Sequence, residues 1–218
     1  MIDIMECPYC QNKSLLPLSS NPRKYKKCVK CGLVMLSPRK SDEEIVQMYS
    51  CNDYRKTRAM TTVQMDAGEI ERSNRIRGYI TDGKSILDIG CSRGYILKKM
   101  PGYEILGVEK NPDWPLDGIP FKTDIDQVTG LWDNITCIHV LEHVVSPWHF
   151  ADRIKELLSP GGKVVIEVPG MKTRGGPYGS SHIYYLKPDL IKKLFAPLKL
   201  IEHLQTPHET FIFRSENA

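Results

Sequence analysis

The feature that most constrains the fold of this chain is the sequence Ile-Leu-Asp-Ile-Gly-Cys-Ser-Arg-Gly at positions 86–94. Its first half is a short apolar run interrupted by Asp88, which is typical of a buried parallel strand. Gly90 and Gly94 follow, and residues 95–100 predict a helix. A strand, a glycine turn and a helix start together predict a crevice in which backbone N–H groups point at a ligand. The missing Cβ atoms would let that ligand approach closely.

The glycine spacing excludes two common phosphate-binding turns. Counted from Gly90, the chain has Ser92 and Tyr95 where a dinucleotide turn has its second and third glycines, and it lacks the Gly-Lys-Ser/Thr of a phosphate loop. With Asp88 included, the pattern Asp-x-Gly-x-x-x-Gly resembles the first motif of class I S-adenosylmethionine (SAM) methyltransferases. That resemblance implies that the acid helps to hold the ammonium end of SAM. An ordinary strand-turn-helix is the alternative.

Two further acids follow the next strands. Glu109 ends the apolar run 103–109 and lies 21 residues after Asp88, where an acid that accepts both ribose hydroxyls is expected. Asp124 lies in the run 121–125, which predicts a third strand, and the resemblance places it near the adenine amino group. A plain loop aspartate is the alternative for Asp124.

The fourth and fifth strands give the strongest resemblance. The run Val-Leu-Glu-His-Val at 140–144 is followed by Leu-Ser-Pro-Gly-Gly at 158–162 and by an apolar strand at 163–169. The resemblance covers residues 80–216 and implies an α/β, Rossmann-like, seven-stranded sheet of order 3-2-1-4-5-7-6, with helices on both faces. It implies a SAM-binding set of Asp88, Gly90, Cys91, Ser92, Gly94, Tyr95, Glu109, Lys110, Asp124, Ile125, His139, Val140 and Leu141.

Four of the seven cysteines form two Cys-x-x-Cys pairs separated by 17 residues, which is a zinc-ribbon pattern. Four thiolates close the coordination shell, so we expect a structural zinc ion that orders a segment too short to build its own core. A disulfide is disfavoured because no secretion signal is present, and a redox pair because two copies occur. The expected ligands are Cys7, Cys10, Cys28 and Cys31.

The N-terminal segment is also basic. Residues 1–40 carry eight Lys/Arg against two acids, a net charge of +6. This charge either forms a patch for an anionic partner, such as a nucleotide-linked substrate or RNA, or belongs to a solvated ribbon surface, which we prefer. Beyond Tyr25 there is no aromatic platform for single-stranded nucleic acid. No apolar run is long enough to span a membrane and no signal peptide is present, so we expect a cytoplasmic protein without a membrane partner.

The sequence after the ribbon extends the resemblance. The order of cysteine knuckle, Gly-Leu-Val, Ser-Pro-Arg and an acidic helix resembles the N-terminal zinc module of a methyltransferase subgroup that includes sugar C-methyltransferases. Ser41 and Glu44 have capping-box spacing at the start of that helix. We therefore predict a zinc ribbon at 1–40, a helical linker or lid at 41–80 and a methyltransferase domain at 81–218. Residues 50–65 are the predicted lid.

The chemistry implied by the resemblance is methyl transfer, for which a hydroxyl or carbon acceptor also needs a base. His182 and His143 are the candidates, and Tyr184 or Tyr185 is the candidate acceptor-pocket residue. His182 follows a glycine-rich loop, 169–179, that leaves the fifth strand. Three functions remain open: a SAM-dependent methyltransferase acting on a sugar or another small molecule, an RNA or protein methyltransferase gripping its polymer with the ribbon, and a non-catalytic ribbon protein with a vestigial SAM fold. Oligomeric state is left open.

Overall fold

The computed structural model describes residues 1–20, 23–51, 62–115, 118–170, 182–206 and 208–216. The strands are β1 (Leu15–Ser20), β2 (Arg23–Cys28), β3 (Val34–Leu36), β4 (Ser85–Ile89), β5 (Glu104–Val108), β6 (Phe121–Lys122), β7 (Trp132–Ile138), β8 (Leu158–Pro169), β9 (Tyr184–Tyr185), β10 (Lys199–Thr206) and β11 (His208–Arg214). The α-helices are α1 (Asp42–Ser50), α2 (Thr62–Arg77), α3 (Pro147–Leu157) and α4 (Pro188–Phe195), and short 3-10 helices form at Leu97–Lys99 and Ile125–Gln127.

The main sheet has seven strands in the order β6-β5-β4-β7-β8-β11-β10. The first five are parallel, whereas β11 runs antiparallel to β8 and β10 antiparallel to β11. Numbered along the chain, these strands have the order 3-2-1-4-5-7-6. The predicted α/β fold and strand order are therefore confirmed, including the closing antiparallel pair.

Both faces of this sheet are covered, as the sequence of β4 requires. Ile86 packs with Ile76 of α2, whereas Leu87 and Ile89 belong to the cluster that contains the buried residues of α3 and α4. Successive side chains of a strand point to opposite faces, so the continuous apolar run of β4 is explained by helices on both sides. Pro188 is the first residue of α4, a position where the missing N–H of proline costs the helix no hydrogen bond.

One local expectation is corrected. The helix predicted at 95–100 is a single 3-10 turn, Leu97–Lys99, because Pro101 follows directly and the residue before a proline disfavours helical geometry. In the segment that leads into β4, Ile76 of α2 and Ile80, which follows the helix, are buried, whereas Ile70 of α2 is 40% exposed. Most of the predicted lid and of the glycine-rich loop lies outside the described residues.

A smaller sheet joins the N-terminal segment to the rest of the chain. Its order is β1-β2-β3-β9, so that its last strand comes from the C-terminal half. Met35 pairs with Tyr184, and the Leu36 N–H donates to the Ile183 carbonyl over 2.9 Å. The buried cysteines of this segment lie in the same hydrophobic cluster as β7 and β8. The capping box at the start of α1 is present, with the Ser41 N–H donating to Glu44 Oε2 over 2.8 Å.

None of the helices in the described ranges is both long and apolar enough to cross a bilayer.

Candidate functional site

A cavity of about 690 Å³ opens at the carboxyl ends of β4, β5 and β7. Ligands of open α/β sheets bind at this edge, and the volume is typical of a small-molecule site. Side chains of α1 and α2 complete its walls. The predicted cofactor-binding residues that line it are Asp88, Gly90, Cys91, Ser92, Tyr95, Glu109, Lys110, Asp124, Ile125, His139 and Val140.

The turn after β4 depends on glycine. Gly90 has a φ of 72°, and a Cβ there would overlap the Val140 side chain. Gly94 has a φ of 74°, and a Cβ there would lie 2.8 Å from the Ile119 side chain. Gly94 packs against Ile119 and does not line the cavity. Leu141 is also outside the lining because it is fully buried in the core.

Two buried carboxylates flank this turn. Asp88 is 2% exposed and its Oδ1 accepts a hydrogen bond from Thr136 Oγ1 over 2.6 Å. Burial, with a smaller effect from the charges of Glu109 and Glu69, raises the pKa of Asp88 to about 7. Glu109 accepts hydrogen bonds from the backbone N–H groups of Ser92 and Asn111, each over 3.0 Å. The bond from Ser92 ties the carboxylate of Glu109 to the turn that follows β4.

The far rim of the cavity is more exposed. Lys110 Nζ lies 3.4 Å from Asp124 Oδ2, and both side chains are more than a third exposed. Such a pair contributes little to stability. Asp124 also caps the following 3-10 helix, accepting from the Asp126 N–H over 3.2 Å.

At the opposite end, His139 lies between two buried acids. Its Nδ1 is 3.2 Å from Glu142 Oε1 and its Nε2 is 3.2 Å from Glu167 Oε1. Burial disfavours the imidazolium, but the two carboxylates outweigh burial and raise the pKa of His139. His139 also has a φ of 57°, which is uncommon for a residue with a side chain.

Glu167 was not singled out by the sequence reasoning. It is fully buried in β8, and Arg75 of α2 donates to both of its oxygens over 2.6 and 2.8 Å. Thr210 Oγ1 donates to Glu167 Oε2 over 2.6 Å. Burial favours the neutral acid, but the hydrogen bonds from His139 and Arg75 hold the pKa of Glu167 well below its usual range. The available signal was a lone acid inside an apolar strand, the same signal that identified Asp88.

The candidate bases lie together. His143 and His182 both line the cavity, and their ring centroids are 4.9 Å apart. His143 Nδ1 lies 2.8 Å from the Tyr49 hydroxyl of α1. His208, which the sequence reasoning missed, also lines the cavity. Burial and the positive charge of His139 lower the pKa of His208 to about 4.

Tyr184 does not reach the cavity, which corrects the expectation that it contributes to the acceptor pocket. Its side chain is 1% exposed, and its hydroxyl donates to the Val145 carbonyl over 3.0 Å. β-sheet pairing with β3 turns this residue toward the core, where its ring contacts Trp148.

The four predicted zinc ligands converge. All four Sγ atoms lie within 4.8 Å of one another, with 3.5 Å between Cys7 and Cys31 and between Cys10 and Cys28. A tetrahedral zinc ion with Zn–S bonds of 2.3 Å separates its sulfurs by about 3.8 Å. Burial opposes ionisation of Cys28, but hydrogen bonds from the Cys31 backbone and other donors lower its pKa to about 6, whereas burial raises the pKa of Cys7 and of Cys31. The convergence of four sulfur atoms, rather than these pKa values, fits the geometry of a thiolate-bound ion.

Comparison with protein families agrees with this geometry. Residues 64–208 match the family model described as "Methyltransferase domain". This match covers the main sheet up to the start of β11, and it begins inside α2. The N-terminal four-cysteine segment lies outside it.

Curated relatives and solved structures add the following similarities. The chain is 26% identical over 163 residues to the ubiquinone biosynthesis O-methyltransferase of Pectobacterium atrosepticum, covering 61% of this chain and 67% of that protein. It is 30% identical over 109 residues to the tRNA U34 carboxymethyltransferase of Hahella chejuensis, covering 40% and 34%. Its fold resembles the 1,6-didemethyltoxoflavin-N1-methyltransferase of Burkholderia thailandensis, with a TM-score of 0.59, 16% identity and coverage of 92% and 99%. It also resembles the magnesium protoporphyrin IX methyltransferase of Synechocystis PCC 6803 with bound S-adenosylhomocysteine, with a TM-score of 0.61, 14% identity and coverage of 81% and 100%.

Proposed function

The chain belongs to the methyltransferase-domain family, and on that premise we propose that this SAM-dependent methyltransferase acts on a small-molecule acceptor bound in the cavity. The observation that carries the proposal is the pair of buried acids, Asp88 and Glu109, at the ends of adjacent parallel strands around the Gly90 turn. When bound, SAM supplies an electrophilic methyl carbon and a leaving group that departs neutral. The protein has to bind, orient and shield the reactants.

At the cofactor end of the cavity, each acidic residue would bind a different group of SAM. Asp88 would hold the ammonium group of SAM, since an opposite charge favours its ionised form. Glu109 would accept the ribose hydroxyls, because a carboxylate has two acceptor oxygens and a ribose offers two donors. Asp124 would accept from the adenine amino group. These assignments extend the resemblance residue by residue onto side chains that share one cavity.

The acceptor end contains the imidazoles. His182 and His143 are the candidates to assist removal of the acceptor proton, because both line the cavity and lie beside the ionised Glu142. The Tyr49 hydroxyl fixes the ring of His143. His139 would form the floor between the cofactor and acceptor ends.

A small-molecule acceptor, such as a sugar or a related metabolite, is favoured over a polymer. The site is a defined cavity, and two of the basic N-terminal side chains are already paired: Lys26 with Asp3 over 2.8 Å, and the buried Arg39 with Asp42 over 2.7 Å. One of the similar enzymes is an O-methyltransferase of ubiquinone biosynthesis, and that name supports the same class. The partial similarity to a tRNA-modifying enzyme and the net charge of +6 support an RNA or protein acceptor as the second candidate. The intact set of acids weighs against a vestigial, non-catalytic fold.

We further propose that the four cysteines bind a structural zinc ion. Their sulfurs are arranged as a tetrahedral site needs, and thiolates leave no position open for substrate.

Calorimetric titration with S-adenosylhomocysteine, followed by a methyl-transfer screen, tests the function. We expect one binding site per chain and turnover with a small acceptor, such as a nucleotide sugar or a hydroxylated aromatic acid. Absence of binding would refute the proposal. Turnover confined to RNA, with an affinity that falls steeply with salt, would establish the second candidate.

A further inference from the structure

Three groups that ligate metals converge on one wall of the cavity. Glu142, His143 and His182 each place a ligand atom within 4.8 Å of the others. The first two follow β7, whereas the third precedes β9 and is remote in sequence. The two segments are joined by the Glu142 carbonyl, which accepts from the backbone N–H groups of Ile183 and Tyr184 over 3.0 and 3.3 Å. The convergence is therefore fixed by the backbone.

The carboxylate of this cluster is incompletely satisfied. Glu142 is 1% exposed, and its Oε1 lies 3.2 Å from His139 Nδ1 and 3.7 Å from His143 Nε2. Its Oε2 is buried and has no hydrogen-bond partner among the residues that the structure describes. A buried carboxylate oxygen in this state costs free energy, and a bound cation would offset that cost.

Neighbouring side chains orient the ligands. The Tyr49 hydroxyl lies 2.8 Å from His143 Nδ1, which directs Nε2 of the same ring toward Glu142. Metal-bound histidines characteristically use their second nitrogen for such a hydrogen bond. His139 braces the carboxylate from the other side.

A second cluster of the same composition lacks these properties. His139, Glu167 and His208 also place ligand atoms within 4.8 Å. However, Arg75 donates to both oxygens of Glu167, and Thr210 donates to one of them. This carboxylate is already neutralised, so the second cluster is a structural ion-pair network.

We propose that Glu142, His143 and His182 bind a divalent cation whose remaining positions face the cavity. Two imidazoles and one carboxylate suit a cation of the Mn²⁺ or Fe²⁺ type, whereas the four thiolates of the N-terminal segment suit a softer ion and a closed shell. The inference rests on the proposed function, because it concerns the acceptor end of the same cavity. It also changes the role of the two histidines from direct bases to ligands.

The substrate class follows from the open positions. Two adjacent oxygens of the acceptor, as in a vicinal diol, a catechol or an α-hydroxy acid, would complete the coordination of the cation. The cation would lower the pKa of the attacking hydroxyl. That hydroxyl loses its proton to water, its oxygen forms a bond to the methyl carbon, and the methyl–sulfur bond breaks with its electron pair remaining on sulfur. The product is an O-methylated chelating acceptor.

The test is to titrate Mn²⁺ into the protein and to measure binding as the loss of the electron paramagnetic resonance signal of free Mn²⁺. We expect one Mn²⁺ per chain. Glu142→Gln, which keeps the shape and removes the charge, and His182→Gln should each weaken binding at least tenfold. Asp126→Asn is the matched control, because this carboxylate also lines the cavity but is not part of the cluster, and it should leave Mn²⁺ affinity unchanged.

S-adenosylhomocysteine titration of the same samples separates this inference from the proposed function. Retained binding by Glu142→Gln shows that the variant is folded and that the cofactor end is intact. Wild-type protein that binds S-adenosylhomocysteine but no Mn²⁺ overturns the metal site and leaves the methyltransferase function standing. Mn²⁺ binding that neither variant weakens overturns the assignment to this cluster.

Discussion

The affinity of the protein for its cofactor should depend on pH through Asp88, and the substitution Asp88→Asn should remove that dependence. Burial raises the pKa of Asp88 to about 7, so at pH 6 most of the ligand-free protein carries a neutral carboxyl at this position. The cationic ammonium group of the cofactor favours the ionised carboxylate. Binding below pH 7 is therefore coupled to the loss of one proton.

The size of the effect follows from that pKa of about 7. If the pKa falls well below 6 in the complex, the dissociation constant should rise roughly eightfold between pH 7.5 and pH 6, or about 1.3 kcal/mol. The amino group of the cofactor stays mostly charged in this range. The free energy of unfolding of the ligand-free protein should depend on pH in the opposite direction. It should fall by roughly 4 kcal/mol as pH rises from about 4 to about 7, if the Asp88 carboxyl titrates independently of other groups. Asp88→Asn should therefore gain stability relative to the wild type at pH 8 but not at pH 4.

Calorimetry with S-adenosylhomocysteine in two buffers of different ionisation enthalpy measures both the affinity and the number of protons released. The asparagine can still accept the hydrogen bond from Thr136, so the fold should persist. Asp124→Asn makes the same charge change at the exposed rim and should weaken binding while leaving the pH dependence in place. A flat wild-type affinity between pH 6 and 7.5, or a slope that survives in Asp88→Asn, would refute the reasoning.

Three further changes test other parts of the site. Gly90→Ala should abolish S-adenosylhomocysteine binding while circular dichroism stays native, because its Cβ would overlap Val140 at a φ of 72°; normal affinity would show that the turn is not a cofactor contact. His182→Ala should lower turnover by about a hundredfold with cofactor affinity unchanged, and undiminished turnover would exclude this residue from the chemistry. Cys10→Ser should lower the bound zinc measured by plasma mass spectrometry and lower the melting temperature; wild-type protein purified without zinc would end the ribbon proposal.

The parts of the fold that could be predicted were those encoded locally. The apolar run with Asp88, the glycine turn and the run before Glu109 are contiguous signals, and each became a strand or turn of the expected kind. The Cys-x-x-Cys pairs are likewise a local spacing, and their sulfurs converge. The strand order came from the resemblance, since no periodicity in the sequence encodes it.

The acceptor end of the cavity could not be predicted in the same way, because its contacts join residues that are far apart in the sequence. The ion pair of Arg75 with Glu167 spans 92 residues, and the hydrogen bond of Thr210 to the same carboxylate spans 43. The local sequence around Arg75, Glu167 or Thr210 does not indicate that these residues are partners. Tyr184 was misassigned for a related reason: its strand pairing with Met35, far earlier in the chain, decides which way its side chain points.

The same long-range pairing links the cysteine segment to the chemistry of the cavity. Strand β9 pairs with β3, and His182 lies two residues before the first residue of β9. From the other side, α1 brings Tyr49 to His143. Both imidazoles at the acceptor end are thus positioned by residues that precede 50, although the match to the methyltransferase family begins at 64. The part of the chain before residue 50 therefore shapes the acceptor end, where α1 contributes Ile45, Val46 and Tyr49 to the lining of the cavity. Loss of order at the four cysteines should disturb the acceptor end more than the acids that flank the Gly90 turn, because those acids lie on β4 and after β5 of the main sheet.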